Sequence, residues 1–129
     1  MFSKKLTTLI LAGLLVALVG CRTTPVHNVY ESTVNATGSY KLKDVKDAIL
    51  KAGDSLGWSM KNVKPGSIIA TLYIREHMAR VKITYSKKNF SIVYSESAGL
   101  KYDGVNIHKN YNGWVKNLER RINSNINSL

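Results

Sequence analysis

The residues able to do chemistry are few and far apart. Histidine stands at 27, 77 and 108, and cysteine once, at 21. A zinc site draws three or four such ligands together. His27, His77 and His108 form no short-spaced pair and Cys21 has no second thiol to join it, so no metal or other cofactor is expected. A lone cysteine also excludes a disulfide within one chain. Serine is plentiful, but no Gly-x-Ser-x-Gly turn presents one as a nucleophile. Asp44, Asp47 and Asp54 fall on the polar side of a helical pattern, and no glycine-rich phosphate loop is present.

One polar cluster is dense: YDGVNIHKNYNGW, residues 102–114. It crowds Asp103, Asn106, His108, Asn110 and Asn112 between aromatic residues. As a binding loop on a rigid sheet it would carry recognition, and Asp103 with His108 is the pair suited to acid–base work. As structure, Asp103 and Gly104 make a turn, Asn110 or Asn112 caps a helix, and Tyr111 and Trp114 enter the core. Both readings are open at this level. A second candidate is basic. Arg75, Arg80 and Lys82, with Lys87 and Lys88 at the next turn, would crowd one side or end of a sheet, with Tyr73 and Val93 among them. That mixture suits an anionic lipid, a glycan or an acidic protein. It also describes an ordinary wet sheet face, where Lys and Arg discourage edge-to-edge pairing.

The elements that must position these residues follow from periodicity. In KLKDVKDAILKAGDSLG, residues 41–57, Leu42, Val45, Ala48, Ile49, Ala52 and Leu56 recur at helical spacing. Asp44 and Asp47 favour the start of that helix through its dipole, and Gly57 its end. WSMKNV, residues 58–63, reads as a short strand, and KPG, residues 64–66, as a turn. SIIATLYIR, ARVKITYS and NFSIVYSE, from residues 67, 79 and 89, then alternate apolar and polar residues with period two. They mark strands with one buried and one wet face, joined by links short enough only for hairpins. Residues 97–113 read as a polar loop. Tyr111, Trp114, Val115, Leu118, Ile122 and Ile126 then share one face of a closing helix. The expected fold is α+β: a two-layer domain with an antiparallel meander of three or four strands, flanked by an N-terminal and a C-terminal helix.

The first residues, MFSKKLTTLILAGLLVALVG, set a short basic start before a run, residues 6–19, that is uncharged and mostly aliphatic. This is the make-up of a secretory signal. The run is shorter than the roughly 20 apolar residues a spanning helix needs, so a simple amino-terminal anchor is the weaker reading. LVGC, residues 18–21, resembles the lipobox of bacterial lipoproteins. The resemblance implies a diacylglyceryl thioether on Cys21 and cleavage by signal peptidase II just before it. Arg22 as the second mature residue, being other than aspartate, implies the periplasmic face of the outer membrane in a double-membraned host. Two or three acyl chains make an essentially permanent anchor.

The domains expected are therefore a lipoprotein signal peptide at 1–20, a lipidated tether at 21–40 with room for a short strand at 26–34, and a single α+β domain at 41–129. The chain carries a formal net charge of +11, two charges of it from Lys4 and Lys5. A basic chain in the cytosol would point to nucleic acid. A lipoprotein outside it meets anionic lipid, lipopolysaccharide and acidic envelope proteins instead, so no nucleic acid partner is expected. The function expected is that of a non-enzymatic, lipid-anchored envelope protein that binds or scaffolds. The alternatives are a small envelope hydrolase centred on residues 102–114 and an accessory subunit of an envelope assembly.

Overall fold

The computed structural model describes residues 22–129. The signal peptide expected at 1–20 and the lipidation of Cys21 lie outside the described residues. In chain order the elements are β1 (Thr23–Pro25), β2 (Val29–Thr33), α1 (Leu42–Ser55), β3 (Ser59–Lys64), β4 (Ser67–Ile74), β5 (His77–Tyr85), β6 (Asn89–Ala98), β7 (Asn106–His108) and α2 (Lys109–Asn127). The fold class is the one expected from the sequence: an α+β domain of two helices and an antiparallel sheet.

The sheet has five strands, in the order β2-β6-β5-β4-β3. Period-two alternation divides each central strand into two faces. Ile68, Ala70 and Leu72 of β4, Ala79, Val81, Ile83 and Tyr85 of β5, and Phe90 and Ile92 of β6 are buried on the inner one. Both helices lay their apolar stripes there. Val45, Ala48, Ile49 and Ala52 come from α1, and Tyr111, Val115, Leu118, Ile122 and Ile126 from α2, and all join one core with the strands.

Local chemistry ends the elements where it should. The Lys41 N–H donates to the Asp44 carboxylate at 2.8 Å, which satisfies a free donor at the start of α1. At its end Gly57 takes a φ of +86°, while its N–H reaches the Asp54 carbonyl and that of Trp58 reaches Gly53. This is a Schellman close, and it needs the left-handed residue that glycine supplies. Pro65 and Gly66, the latter at φ +82°, make the β3–β4 turn that the KPG signal predicts.

Residues 22–34 of the segment read as a tether are part of the fold, and the short strand read at 26–34 is β2. β1 pairs antiparallel with β7, and β2 with β6, so the amino-terminal segment forms the small second sheet and one edge of the large one. Val29 and Val34 are buried, and the Val34 N–H donates to the Lys88 carbonyl. Asn112, which the sequence offered as a cap for α2, is instead a buried clamp on this segment. Its Nδ2 donates to Thr24 Oγ1 and to the Pro25 carbonyl, both at 2.8 Å, and its Oδ1 accepts from the His27 N–H at 2.9 Å. The cap of α2 is His108, whose Nδ1 accepts from the Asn110 N–H.

Among the described residues, one buried side-chain polar atom lacks a partner. The Tyr111 hydroxyl is buried in the core without a hydrogen bond, with the Tyr94 ring edge-on at 5.7 Å and Tyr102 stacked on Tyr94 at 4.1 Å. Burial, helped by the two neighbouring phenols, pushes the Tyr111 hydroxyl well above its ordinary range. A buried donor left unmade costs about 1–3 kcal/mol. Tyr111→Phe, which keeps the ring, is therefore expected to stabilise the domain by about 1 kcal/mol. Urea unfolding checks this: a midpoint unchanged or lowered would show that the hydroxyl is satisfied in solution.

Candidate functional site

Because both helices cover the inner side, the outer side of the sheet is open. The register sets its residues in rows across the strands. One row runs Lys61, Ile69, Lys82, Val93, and the next runs Ser59, Thr71, Arg80, Glu96. Tyr73 and Met78 start a third. Tyr73 is 68% exposed and Val63 47%, while Ile69 and Val93 are half-buried. A shallow depression of about 420 Å³ crosses β3, β4, β5 and β6 between Lys61, Ile69, Thr71, Arg80 and Glu96.

Arg80 and Lys82 share this face but differ in what they offer. The Arg80 guanidinium donates to Thr71 Oγ1 at 3.1 Å and pairs through Nη1 with the Glu96 carboxylate. Its charge is compensated within the sheet. Lys82 is exposed, as is Lys61, which the sequence did not single out. The two lysines lie on strands that flank β4, so they stand about 10 Å apart with Ile69 between them. Two ammonium groups around an apolar strip can take an anionic surface that also brings hydrocarbon or aromatic contact.

The other basic residues leave this face. Arg75 sits in the β4–β5 turn with φ +55°, and Lys87 and Lys88 sit in the β5–β6 turn. Successive hairpins turn at opposite ends of a sheet, and the nine residues of β5 separate the two turns by roughly 30 Å. The basic cluster expected from the sequence is thus three separate sites. The opposite placement of the two turns already follows from the expected meander, whereas the register that pairs Arg80 with Glu96 is a tertiary property.

The loop at residues 102–114 resolves toward structure. The Asp103 carboxylate accepts from the Val105 and Asn106 N–H groups at 2.9 and 2.7 Å, an Asx turn leading into β7. Those donors, Asn106 first, hold its carboxyl below the usual range. His108 Nδ1 is committed to the α2 cap. Each member of the pair is therefore bonded to nearby backbone, an arrangement that serves a turn and a cap.

A further depression of about 500 Å³ lies between α1 and α2, lined by Asp44, Asp47, Lys51, Arg121 and Asn125 among others. Its charges are of both signs and several are engaged. Asp47 pairs with Lys43 at 2.6 Å, and that ammonium holds its carboxyl low. Arg121 donates to Ser55 Oγ, and Asn125 to the Ala48 carbonyl. Among the described residues no three His, Cys, Asp or Glu side chains converge as metal ligands, and no helix is long and apolar enough to cross a membrane. Comparison of the chain with protein-family models, curated proteins and solved structures finds no match in any of the three.

Proposed function

We propose that the chain is a lipid-anchored protein of the cell envelope whose domain binds an anionic or acidic partner through the outer face of its sheet, without catalysing a reaction. The observation that carries the binding role is the open row Lys61, Ile69, Lys82, Val93. It leaves apolar contact and two exposed ammonium groups on a rigid five-stranded platform, while the helices occupy the opposite side. The anchor rests on LVGC at residues 18–21. Lipopolysaccharide phosphates, anionic phospholipid and acidic envelope proteins all present the matching chemistry.

One experiment tests both halves. Protein extracted from membranes is weighed intact, and its binding to lipopolysaccharide is titrated at low and at high salt. Acyl mass on a chain that starts at Cys21, lost in Cys21→Ser together with membrane partition, supports the anchor. The double variant Lys61→Glu, Lys82→Glu is expected to weaken binding at least about tenfold at low salt, since each cation near an anionic surface contributes about 1 kcal/mol. Affinity unchanged in the double variant would remove the sheet face from the proposal.

A further inference from the structure

We infer that the domain sits directly on the bilayer, with the end that bears Arg22, Arg75, Lys101 and Lys109 against anionic headgroups, rather than on a flexible stalk. The inference rests on the acylation of Cys21 proposed above. It follows from where the rigid body begins. The Arg22 carbonyl accepts from the Lys109 N–H at 3.2 Å. Thr23 pairs with His108, and Asn112 holds Thr24 and Pro25. The chain is therefore fixed from the first residue after Cys21. An extended residue spans about 3.5 Å, so Cys21 lies within roughly 7 Å of Thr23. A sulfur held at the headgroup boundary brings this end of the fold with it.

The same end gathers the cations. The His108 N–H donates to the Leu100 carbonyl at 2.8 Å, which sets Lys101 beside the ribbon of β1 and β7. His77 Nδ1 meets the Gly99 carbonyl at 3.0 Å, so the β4–β5 turn with Arg75 lies at this end too. Arg22, Arg75, Lys101 and Lys109 are all exposed. Of the acids next to these cations in sequence, Glu76 is exposed and Asp103 is turned onto its own backbone donors, while Glu96 on β6 is paired with Arg80. Attraction between exposed charges fades within about 8 Å at physiological salt, so these cations act on headgroups only if the domain is held this close. The β5–β6 turn, with Lys87 and Lys88, is at the far end, where Tyr40 donates to the Lys87 carbonyl. The strands then run away from the membrane, and the sheet's outer face stands side-on, open to a partner in the envelope.

The test uses acylated protein extracted from membranes and returned to vesicles of phosphatidylethanolamine and phosphatidylglycerol. With the native sulfur in thioether linkage, a thiol introduced as Asn110→Cys or Lys88→Cys takes a spin label alone. A paramagnetic nickel chelate on the headgroups is expected to relax the label at 110 several-fold more than the label at 88, at low and high salt alike. Inserting about twelve Gly and Ser residues between Cys21 and Arg22 allows a reach of about 20 Å. In that protein the difference should persist at low salt and vanish at high salt. Adding Arg22→Glu, Lys101→Glu and Lys109→Glu should abolish it at low salt as well. Equal relaxation at 110 and 88 in the acylated parent would overturn the inference, and contact surviving the three charge reversals would overturn the role of the cations. A mature chain without acyl mass would instead overturn the anchor itself, and intact mass shows this before any label is read.

Discussion

Asn112→Ala is expected to destabilise the domain by about 3 kcal/mol and to free the amino-terminal segment while the central strands stay folded. Three hydrogen bonds converge on this one amide, and they join parts of the chain 85 to 88 residues apart. Asn112 is itself only 9% exposed, so alanine leaves the Pro25 carbonyl and the His27 N–H facing a site with no polar group. Each such orphan costs about 1–3 kcal/mol, reduced where water can enter. β1 is three residues long and pairs with a β7 of the same length. A ribbon so short is not stable alone, so the clamp decides whether it forms. Urea unfolding gives the magnitude, and amide hydrogen exchange gives the location. The Val26 amide, bonded to the Val105 carbonyl, should lose protection while Val81 and Ile83 keep theirs. A loss under about 1 kcal/mol would mean that one ordinary hydrogen bond, and not a clamp, is at stake.

Gly53→Leu should cost about 3 kcal/mol, the upper range for overpacking a tight contact. Glycine inside a helix is about 1 kcal/mol worse than alanine, so its presence in α1 requires a reason. Met60 of β3 supplies it. A Cβ built on Gly53 would stand 2.1 Å from Met60 Sδ and 2.7 Å from its Cγ. The thioether lies in the space that the missing side chain leaves, and α1 comes close to β3 through it. Leucine must lift the helix or expel Met60. Gly53→Ala should be much milder, because the flexible thioether can shift and alanine recovers helix propensity. Thermal unfolding followed by circular dichroism would separate the two. A leucine variant that melts with the parent would mean that α1 and β3 are not in tight contact.

The legible part of this fold is the part with strong periodicity. β4, β5 and β6 alternate cleanly because one face of each is buried by helices, and α1 and α2 show their stripes for the same reason. The fifth strand was legible only as a short stretch within 26–34, without its partner or register. β2 is an edge strand whose pairing with β6 shifts register between Val29 and Ser32, with Glu31 at φ +50°, so alternation breaks where it was needed. β1, with the sequence TTP, carries no apolar residue beyond the proline. What holds it is a side chain from the other end of the chain, and no local pattern announces that. The candidate sites failed to read for a related cause. Arg80 and Lys82 look alike in sequence, but the strand neighbours of Arg80 are Thr71 and Glu96, whereas Lys82 lies between Ile69 and Val93. Asn112 fits a cap by residue type. Only the return of residues 24–27 to α2 makes it a clamp.

The pairing of the first strand with the seventh, and of the second with the sixth, also sets a timetable. A nascent polypeptide leaves the ribosome amino end first, at about 5–20 residues per second. Its opening strands then have no mates until β6 and β7 have been made. Contacts this distant in sequence are slow to form. The hairpins of β3, β4 and β5 can pair as they emerge, but the amino-terminal edge stays unpaired until β6 and β7 exist, so the fold closes only when its first and last parts meet.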